Sequence, residues 1–217
     1  MRYWPSALLG VTLLQLFAFY TVPPTELGFY MLKPQPTQVV TSLVAHADVA
    51  HLISNVVAQL ALGVFVECLH GHLRFLVVYV GSGVGGALWY RGTWCAGVSD
   101  ESPGRNVYLV GASGAIYGLM GAYAGHMLIN WSELRLKCVW FCGATLTVVL
   151  DVGMYLMAPV AHVAYAAHVG GALAGMCLGV LVLKNVRVLE HEVALRVGAA
   201  IALLLLSLAP VQICIDV

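Results

Sequence analysis

The chain has 217 residues, of which 61% are hydrophobic and only 9% are charged, whereas soluble domains carry about 25% charged residues. This composition excludes an ordinary water-soluble domain and a disordered chain. Ten basic side chains balance ten acidic ones, so the basic surplus of a nucleic-acid-binding protein is absent and we expect no nucleic-acid partner. The sequence therefore predicts an all-α protein that crosses the lipid bilayer several times.

Apolar stretches long enough to cross a bilayer, about 20 residues each, follow one another along the chain. Seven spans are predicted, at about 6–22, 46–68, 73–90, 109–129, 137–157, 161–184 and 195–215. The first run ends in Val22-Pro23-Pro24 without a small-residue cleavage site, which favours a retained span over a signal peptide. We expect residues 1–217 to form a single membrane domain.

The cysteines give a weak signal. The six of them contain no CxxC pair and no zinc-ligand spacing, and most lie in apolar runs. We expect buried, inert thiols and neither a metal ion nor a cofactor. Whether Cys95 forms a disulfide is left open at this point.

The basic residues predict the orientation of the chain. With a cytoplasmic N-terminus, seven Lys and Arg residues lie inside and three lie outside. We therefore expect the N-terminus in the cytoplasm and the C-terminus outside or in a lumen. In this topology the spans that begin near 46, 109 and 161 all start at the outer membrane face.

Polar side chains gather at the start of those three spans. His46, His51 and Asn55 open the second span, Ser113 lies at the start of the fourth, and His168 lies early in the sixth. Polar groups inside spans are costly and face the bundle interior or a water-filled cavity. Their matched depth predicts one convergent polar site.

Glycines at helical spacing predict how two of these spans meet. The fourth span carries Gly114, Gly118, Gly121 and Gly125, and the sixth carries Gly171, Gly175 and Gly179. Small residues at this spacing let helix backbones approach closely. If the two stripes pack together, Ser113 and His168 lie near one another.

A serine hydroxyl beside an imidazole suits nucleophilic catalysis, because histidine can take the hydroxyl proton. The Asn55 amide, the His51 ring and backbone N–H groups near Ser113 are suitable donors for an oxyanion. No acidic residue has an evident place beside His168. The pattern indicates a Ser–His dyad rather than a triad.

Taken together, these motifs resemble those of the rhomboid intramembrane serine proteases. The family's GxSG motif reads Gly111-Ala112-Ser113-Gly114. The other matches are His46, His51 and Asn55; Gly63, Glu67 and Gly71; Tyr117; and Ala167-His168 followed by Gly171 and Gly175. The first loop, 23–45, lacks the Trp-Arg pair common in the family, and Val163 replaces a glycine before the sixth-helix motif.

This resemblance implies a six-helix rhomboid core plus a C-terminal seventh transmembrane helix, closest to the eukaryotic secretase-type rhomboids. It implies that Ser113 is the nucleophile, His168 its base, and Asn55 and His51 oxyanion donors. Supporting roles fall to Tyr117, stacked on His168, and to His46 and Gly111. Structural roles fall to Glu67, as a hydrogen-bond acceptor, and to Gly171 and Gly175, as packing positions.

The expected activity is cleavage of single-span transmembrane proteins near the outer or luminal membrane face. Growth-factor precursors are a substrate class suggested by the resemblance, and the Golgi or plasma membrane is the expected location. A histidine-rich transporter would leave the GxSG motif unexplained. An inactive rhomboid-like protein that binds membrane clients stays open as an alternative, although such relatives typically lack the serine, the histidine or both.

Five further histidines lie at predicted span ends, where solvated or interfacial positions would explain them without a function. They are His70, His72, His126, His162 and His191.

Overall fold

The computed structural model describes residues 3–97, 107–131, 133, 149, 164–186 and 192–215. The helices there are α1 (Ser6–Thr21), α2 (Pro24–Leu27), α3 (Gln38–Thr41), α4 (Val49–His70), α5 (His72–Cys95), α6 (Ser113–Asn130), α7 (Tyr165–Val182) and α8 (Glu192–Ile215). Two short strands accompany them, β1 (Phe29–Tyr30) and β2 (Tyr108–Leu109). The predicted all-α membrane architecture is confirmed.

By length and composition, α4, α5, α7 and α8 can cross a membrane, and α1 is a shorter apolar helix. Helix starts differ from the predicted spans for local reasons. The α4 helix begins at Val49 because the Asp48 side chain accepts a hydrogen bond from His51 N and caps it. The α6 helix begins at Ser113 because the residues before it form β2 and a turn. The predicted span 137–157 lies outside the described residues, apart from Val149.

The long helices alternate in direction. On α4 and α6, residues near the start contact each other (His51 and Gly111) and so do residues near the end (His70 and His126), so these two helices run in parallel. The α6 and α7 helices are parallel too, whereas α5 runs against them. The starts of α4, α6 and α7 therefore share one end of the bundle, which we call the Ser113 end.

The glycine stripes of α6 and α7 pack backbone to backbone, as their spacing predicts. A Cβ atom on Gly171 would collide with the backbone of Gly114, and one on Gly175 would collide with Gly118. The contact continues at Gly179, which faces Ala122. Only glycine permits so close a crossing. This crossing is the centre of the fold, and most of α6 is buried.

The far end of the bundle, opposite Ser113, is held by the buried carboxylate of Glu67. Its two oxygens accept hydrogen bonds from Ala7 N at 2.8 Å and Leu8 N at 2.7 Å, and it also pairs with His72. These contacts satisfy N–H groups at the start of α1, which have no partner within the helix. They fit the structural role expected of Glu67.

The first loop is anchored by backbone pairing. The β1 and β2 strands pair antiparallel, with Phe29 opposite Leu109 and Tyr30 opposite Tyr108. Met31 N donates to Val107 O at 3.0 Å, next to this pairing. In this chain the ribbon joins the first loop, which has no Trp-Arg pair, to the segment that leads into α6.

The interpretation of the cysteines as inert thiols is wrong for two of them. Cys95, at the end of α5, forms a disulfide with Cys214 in the last turn of α8. Cys68 and Cys177 are buried free thiols, as expected, and Cys138 and Cys142 lie outside the described residues. The pairing was not predictable because the partners are 119 residues apart and only the docking of α8 on α5 brings them together.

The interpretation of the span-end histidines as solvated is wrong for His70 and His126. Both are buried, and their rings meet edge to face with centroids 4.9 Å apart. His70 Nδ1 accepts a hydrogen bond from Lys184 N, and Asn130 Nδ2 lies 3.2 Å from His126 Nδ1. The two imidazoles therefore join the ends of α4, α6 and α7. His162 and His191 lie outside the described residues.

Candidate active site

The position of Ser113 is set by the turn that precedes it. Gly111 has a φ of +118°, a conformation that favours glycine, and its N–H donates to Ser42 O at 2.9 Å. Ala112 is fully buried, and Ser113 then opens α6 as a half-buried residue. Ser113 thus lies at one end of the bundle and is partly exposed.

His51 and Asn55 lie one turn apart on α4 and line the same turn. A Cβ atom on Gly111 would be 2.7 Å from His51 Nε2 and 3.6 Å from Asn55 Nδ2. Two side-chain nitrogens therefore converge on the backbone two residues before Ser113. The absence of a side chain at Gly111 is what leaves room for them.

The Asn55 amide has an open hydrogen-bonding position. Asn55 is 6% exposed, and its Nδ2 has no hydrogen-bond partner among the described residues. Most buried donors in proteins are paired, and an unpaired one lowers stability by about 1–3 kcal/mol. A buried N–H donor without a partner, close to the turn that precedes Ser113, is suited to donating a hydrogen bond to a negatively charged oxygen.

His168 is held flat against an aromatic ring. It is buried near the start of α7, and the Tyr117 ring stacks on it with centroids 4.3 Å apart and planes 5° apart. Tyr165 meets the same imidazole edge-on at 6.0 Å. Since Tyr117 lies one turn after Ser113 on α6, the stacking places His168 at the Ser113 end of the close crossing.

His46 lies in the loop before α4 and is 1% exposed. Its ring meets the His51 ring edge to face, with centroids 5.1 Å apart. Burial, followed by the neighbouring His51, lowers the pKa of His46 to about 4. His46 is therefore neutral at physiological pH and packs behind His51 without adding charge.

Every predicted catalytic side chain thus lies at the Ser113 end. The arrangement offers a nucleophilic hydroxyl, a buried imidazole and a pair of donors, which are the groups that acyl transfer requires. Glu67 lies at the opposite end, as do the contacts of His70 and His126.

Comparison with known proteins identifies the family of this chain. Residues 33–185, more than half of the chain, match the Rhomboid domain family. The chain belongs to the rhomboid family.

Three relatives illustrate the range of similarity to this rhomboid. Human Rhomboid-related protein 3 is 32% identical over 71% of the chain and 38% of its own length. RHOMBOID-like protein 5 of Arabidopsis thaliana is 33% identical over 64% of the chain and 41% of its length. Rhomboid-related protein 1 of Caenorhabditis elegans is 26% identical over 80% of the chain and 47% of its own length. The matched part is less than half of each of these relatives.

Sequence reasoning missed two parts of the rhomboid site. Tyr165 was not singled out, although an aromatic residue three positions before His168 lies on the same side of a helix. The hydrogen bond from Gly111 N to Ser42 O joins segments about 70 residues apart. No local pattern could have predicted that bond.

Proposed function

We propose that this rhomboid is an intramembrane serine endopeptidase that cleaves transmembrane segments of single-span proteins near the outer or luminal membrane face. The observation that carries the proposal is the convergence of Ser113, His168 and the unpartnered Asn55 amide at one end of the bundle.

The proposed reaction has two stages, acylation of Ser113 and hydrolysis of the acyl-enzyme. His168 takes the hydroxyl proton while the Ser113 oxygen attacks the scissile carbonyl. The resulting oxyanion accepts hydrogen bonds from Asn55, His51 and nearby backbone N–H groups. The imidazolium then gives its proton to the leaving amine, and water, activated by the same histidine, hydrolyses the acyl-enzyme. Tyr117 restricts the rotation of the imidazole throughout.

The proposed orientation has the N-terminus in the cytoplasm and the Ser113 end outside or in a lumen. The Cys95–Cys214 disulfide supports it, because the bond lies at the Ser113 end and disulfides persist in oxidising compartments. The Golgi and plasma membrane both meet this requirement. A glycosylation acceptor added after the C-terminus should be modified, and one added before the N-terminus should not.

The decisive experiment is co-expression with a panel of single-span membrane proteins, growth-factor precursors among them, followed by detection of released ectodomains. Ser113→Ala is the matched control. Labelling of the purified chain by a fluorophosphonate gives a substrate-independent measure of the same hydroxyl. Cleavage and labelling that both require Ser113 support the protease; equal behaviour of the parent and Ser113→Ala supports the client-binding alternative.

A further inference from the structure

A hydrogen-bonded network of four polar side chains lies in the apolar interior, away from the Ser113 end. Its members come from three helices: Thr12 and Gln15 from α1, Gln59 from α4, and Tyr79 from α5. Gln15 and Gln59 are fully buried, and Tyr79 is 2% exposed. Polar groups at this depth are costly unless every one is satisfied, so the network calls for an explanation.

Gln59 uses the whole of its amide in this network. Its Nε2 donates to Gln15 Oε1 at 2.7 Å and to Thr12 Oγ1 at 2.9 Å. Its Oε1 accepts from the Tyr79 hydroxyl at 2.7 Å and from Gln15 Nε2 at 3.2 Å. Four bonds to two neighbouring helices fix how α4 is rotated about its own axis.

That rotation matters because Gln59 shares a helix face with the donors of the site. Asn55 lies one turn before Gln59 and His51 two turns before it, so all three point to one side of α4. A side-chain group lies about 6 Å from its helix axis, so a rotation of about 10° moves it by about 1 Å. A displacement of about 1 Å can cost about 10²-fold in rate.

The network also reaches the other side of the site through the first loop. Gln15 Nε2 lies 3.0 Å from the Tyr79 hydroxyl oxygen, 3.2 Å from Gln59 Oε1 and 3.4 Å from Leu43 O, so Leu43 O is the most distant of three acceptors for two N–H groups. Ser42, the residue before Leu43, accepts the hydrogen bond from Gly111 N. The Leu43 side chain packs against Gly83 of α5, close to Ala115 of α6. The network therefore holds α4, with its donors, and contacts the loop that fixes the turn before Ser113.

We infer that the Gln15–Gln59–Tyr79 network positions Asn55 and His51 against Ser113, with Gln59 as the main positioning residue of the oxyanion site. This inference rests on the proposed function. Gln59 touches no reacting atom and acts through the orientation of α4. Loss of the network is expected to lower both kcat and the melting temperature, because it leaves buried polar groups without partners. The effect that identifies positioning is the loss of kcat that depends on Asn55.

The test is a double-mutant cycle with purified full-length chain in detergent and one cleaved substrate. Gln59→Leu is expected to lower kcat by about 10–100-fold, with KM little changed. In an Asn55→Ala background the same change is expected to lower kcat by a clearly smaller factor, because one of the two donors that Gln59 positions is gone and only His51 remains. A merely structural role would lower kcat by the same factor in both backgrounds.

Two further variants serve as a matched control and as a milder change in the same network. Asn130→Leu is the matched control, since it removes an equally buried, hydrogen-bonded amide at the opposite end of the bundle; it should lower the melting temperature and leave kcat near the parent value. Tyr79→Phe removes one hydroxyl only. If Gln59→Leu does not fold, the test is carried out with Tyr79→Phe instead. It should show a smaller loss of kcat than Gln59→Leu, and that loss should also shrink in the Asn55→Ala background.

The outcomes separate the two proposals. Ser113-dependent cleavage with parent-like kcat in Gln59→Leu, or equal fold-losses in both backgrounds, overturns the positioning role and leaves the protease intact. Cleavage that is absent from the parent, or unchanged in Ser113→Ala, overturns the proposed function and this inference together. Loss of kcat in Asn130→Leu as large as in Gln59→Leu would also overturn the positioning role, because any buried amide would then matter equally.

Discussion

Three residues carry the proposed chemistry, and a different kind of contact holds each of them in place. Ser113 depends on the backbone of a glycine turn, His168 on the face of Tyr117, and Asn55 on its place along α4. The three supports come from separate elements. Substitutions of the supports should therefore be separable from substitutions of the reacting groups.

The reacting pair should behave as one unit. Ser113→Ala and His168→Ala are each expected to abolish cleavage, and the double variant should be no worse, because neither group works without the other. All three variants should stay folded and inserted. The measurement is kcat/KM together with the melting temperature in detergent. Residual rates that multiply in the double variant would contradict a joint role.

The turn at Gly111 allows a test that separates a collision with His51 from backbone strain, by comparing two glycines with positive φ. Gly111→Ala should remove most activity, because its Cβ would be 2.7 Å from His51 Nε2. A residue forced into a positive φ also costs about 1–3 kcal/mol. Gly97→Ala is the control, since Gly97 has a φ of +69° and nothing within 4 Å of a Cβ. It should lose some stability and keep its turnover.

Parent-like cleavage by Gly111→Ala would contradict the placement of His51 against this turn. An equal loss of activity in Gly97→Ala would attribute the effect to backbone strain alone.

At the scale of elements, the crossing of α6 and α7 decides the site. Gly171→Val should lower kcat by about 10²-fold, because a side chain there pushes the Gly114 backbone away and displaces Ser113 from His168. It should also lower the melting temperature. Gly10→Val in α1, where a Cβ meets nothing within 4 Å, should change neither quantity much. Similar values for both variants would show that the close crossing is not needed.

The crossing of α6 and α7 could be predicted from the sequence, whereas the polar network of Gln15, Gln59 and Tyr79 could not. The stripes of α6 and α7 repeat at helical spacing within each helix, so one face of each could be recognised alone. Gln15, Gln59 and Tyr79 form no comparable repeat, because they lie in three different helices that each carry other polar residues. Their pairing depends on how three helices are rotated against one another, which only the folded bundle determines.

At the scale of the whole molecule, α8 is fastened to the core at one end. Pro210 fits against Gly92 of α5, where a Cβ on the glycine would be 2.6 Å from the proline ring, and the Cys95–Cys214 bond lies one turn further on. Most of the remaining α8 surface is exposed. Composition predicted this helix as a span, but the partner at its end could not be inferred from an apolar run.

The disulfide should stabilise the chain without serving the site. Cys214→Ser is expected to lower the free energy of unfolding by about 2–4 kcal/mol, because the bond closes a long loop in the unfolded chain. At temperatures below both melting transitions, kcat should stay near the parent value, since the main contacts of α8 are with α5 and α7. Reductant should bring the melting temperature of the parent down to that of Cys214→Ser and leave the variant unchanged.

The control is Cys177→Ala, which removes a free thiol and should still respond to reductant. A parent whose melting temperature and non-reducing gel migration ignore reductant would contradict the bond, and a large loss of kcat in Cys214→Ser would tie α8 to catalysis.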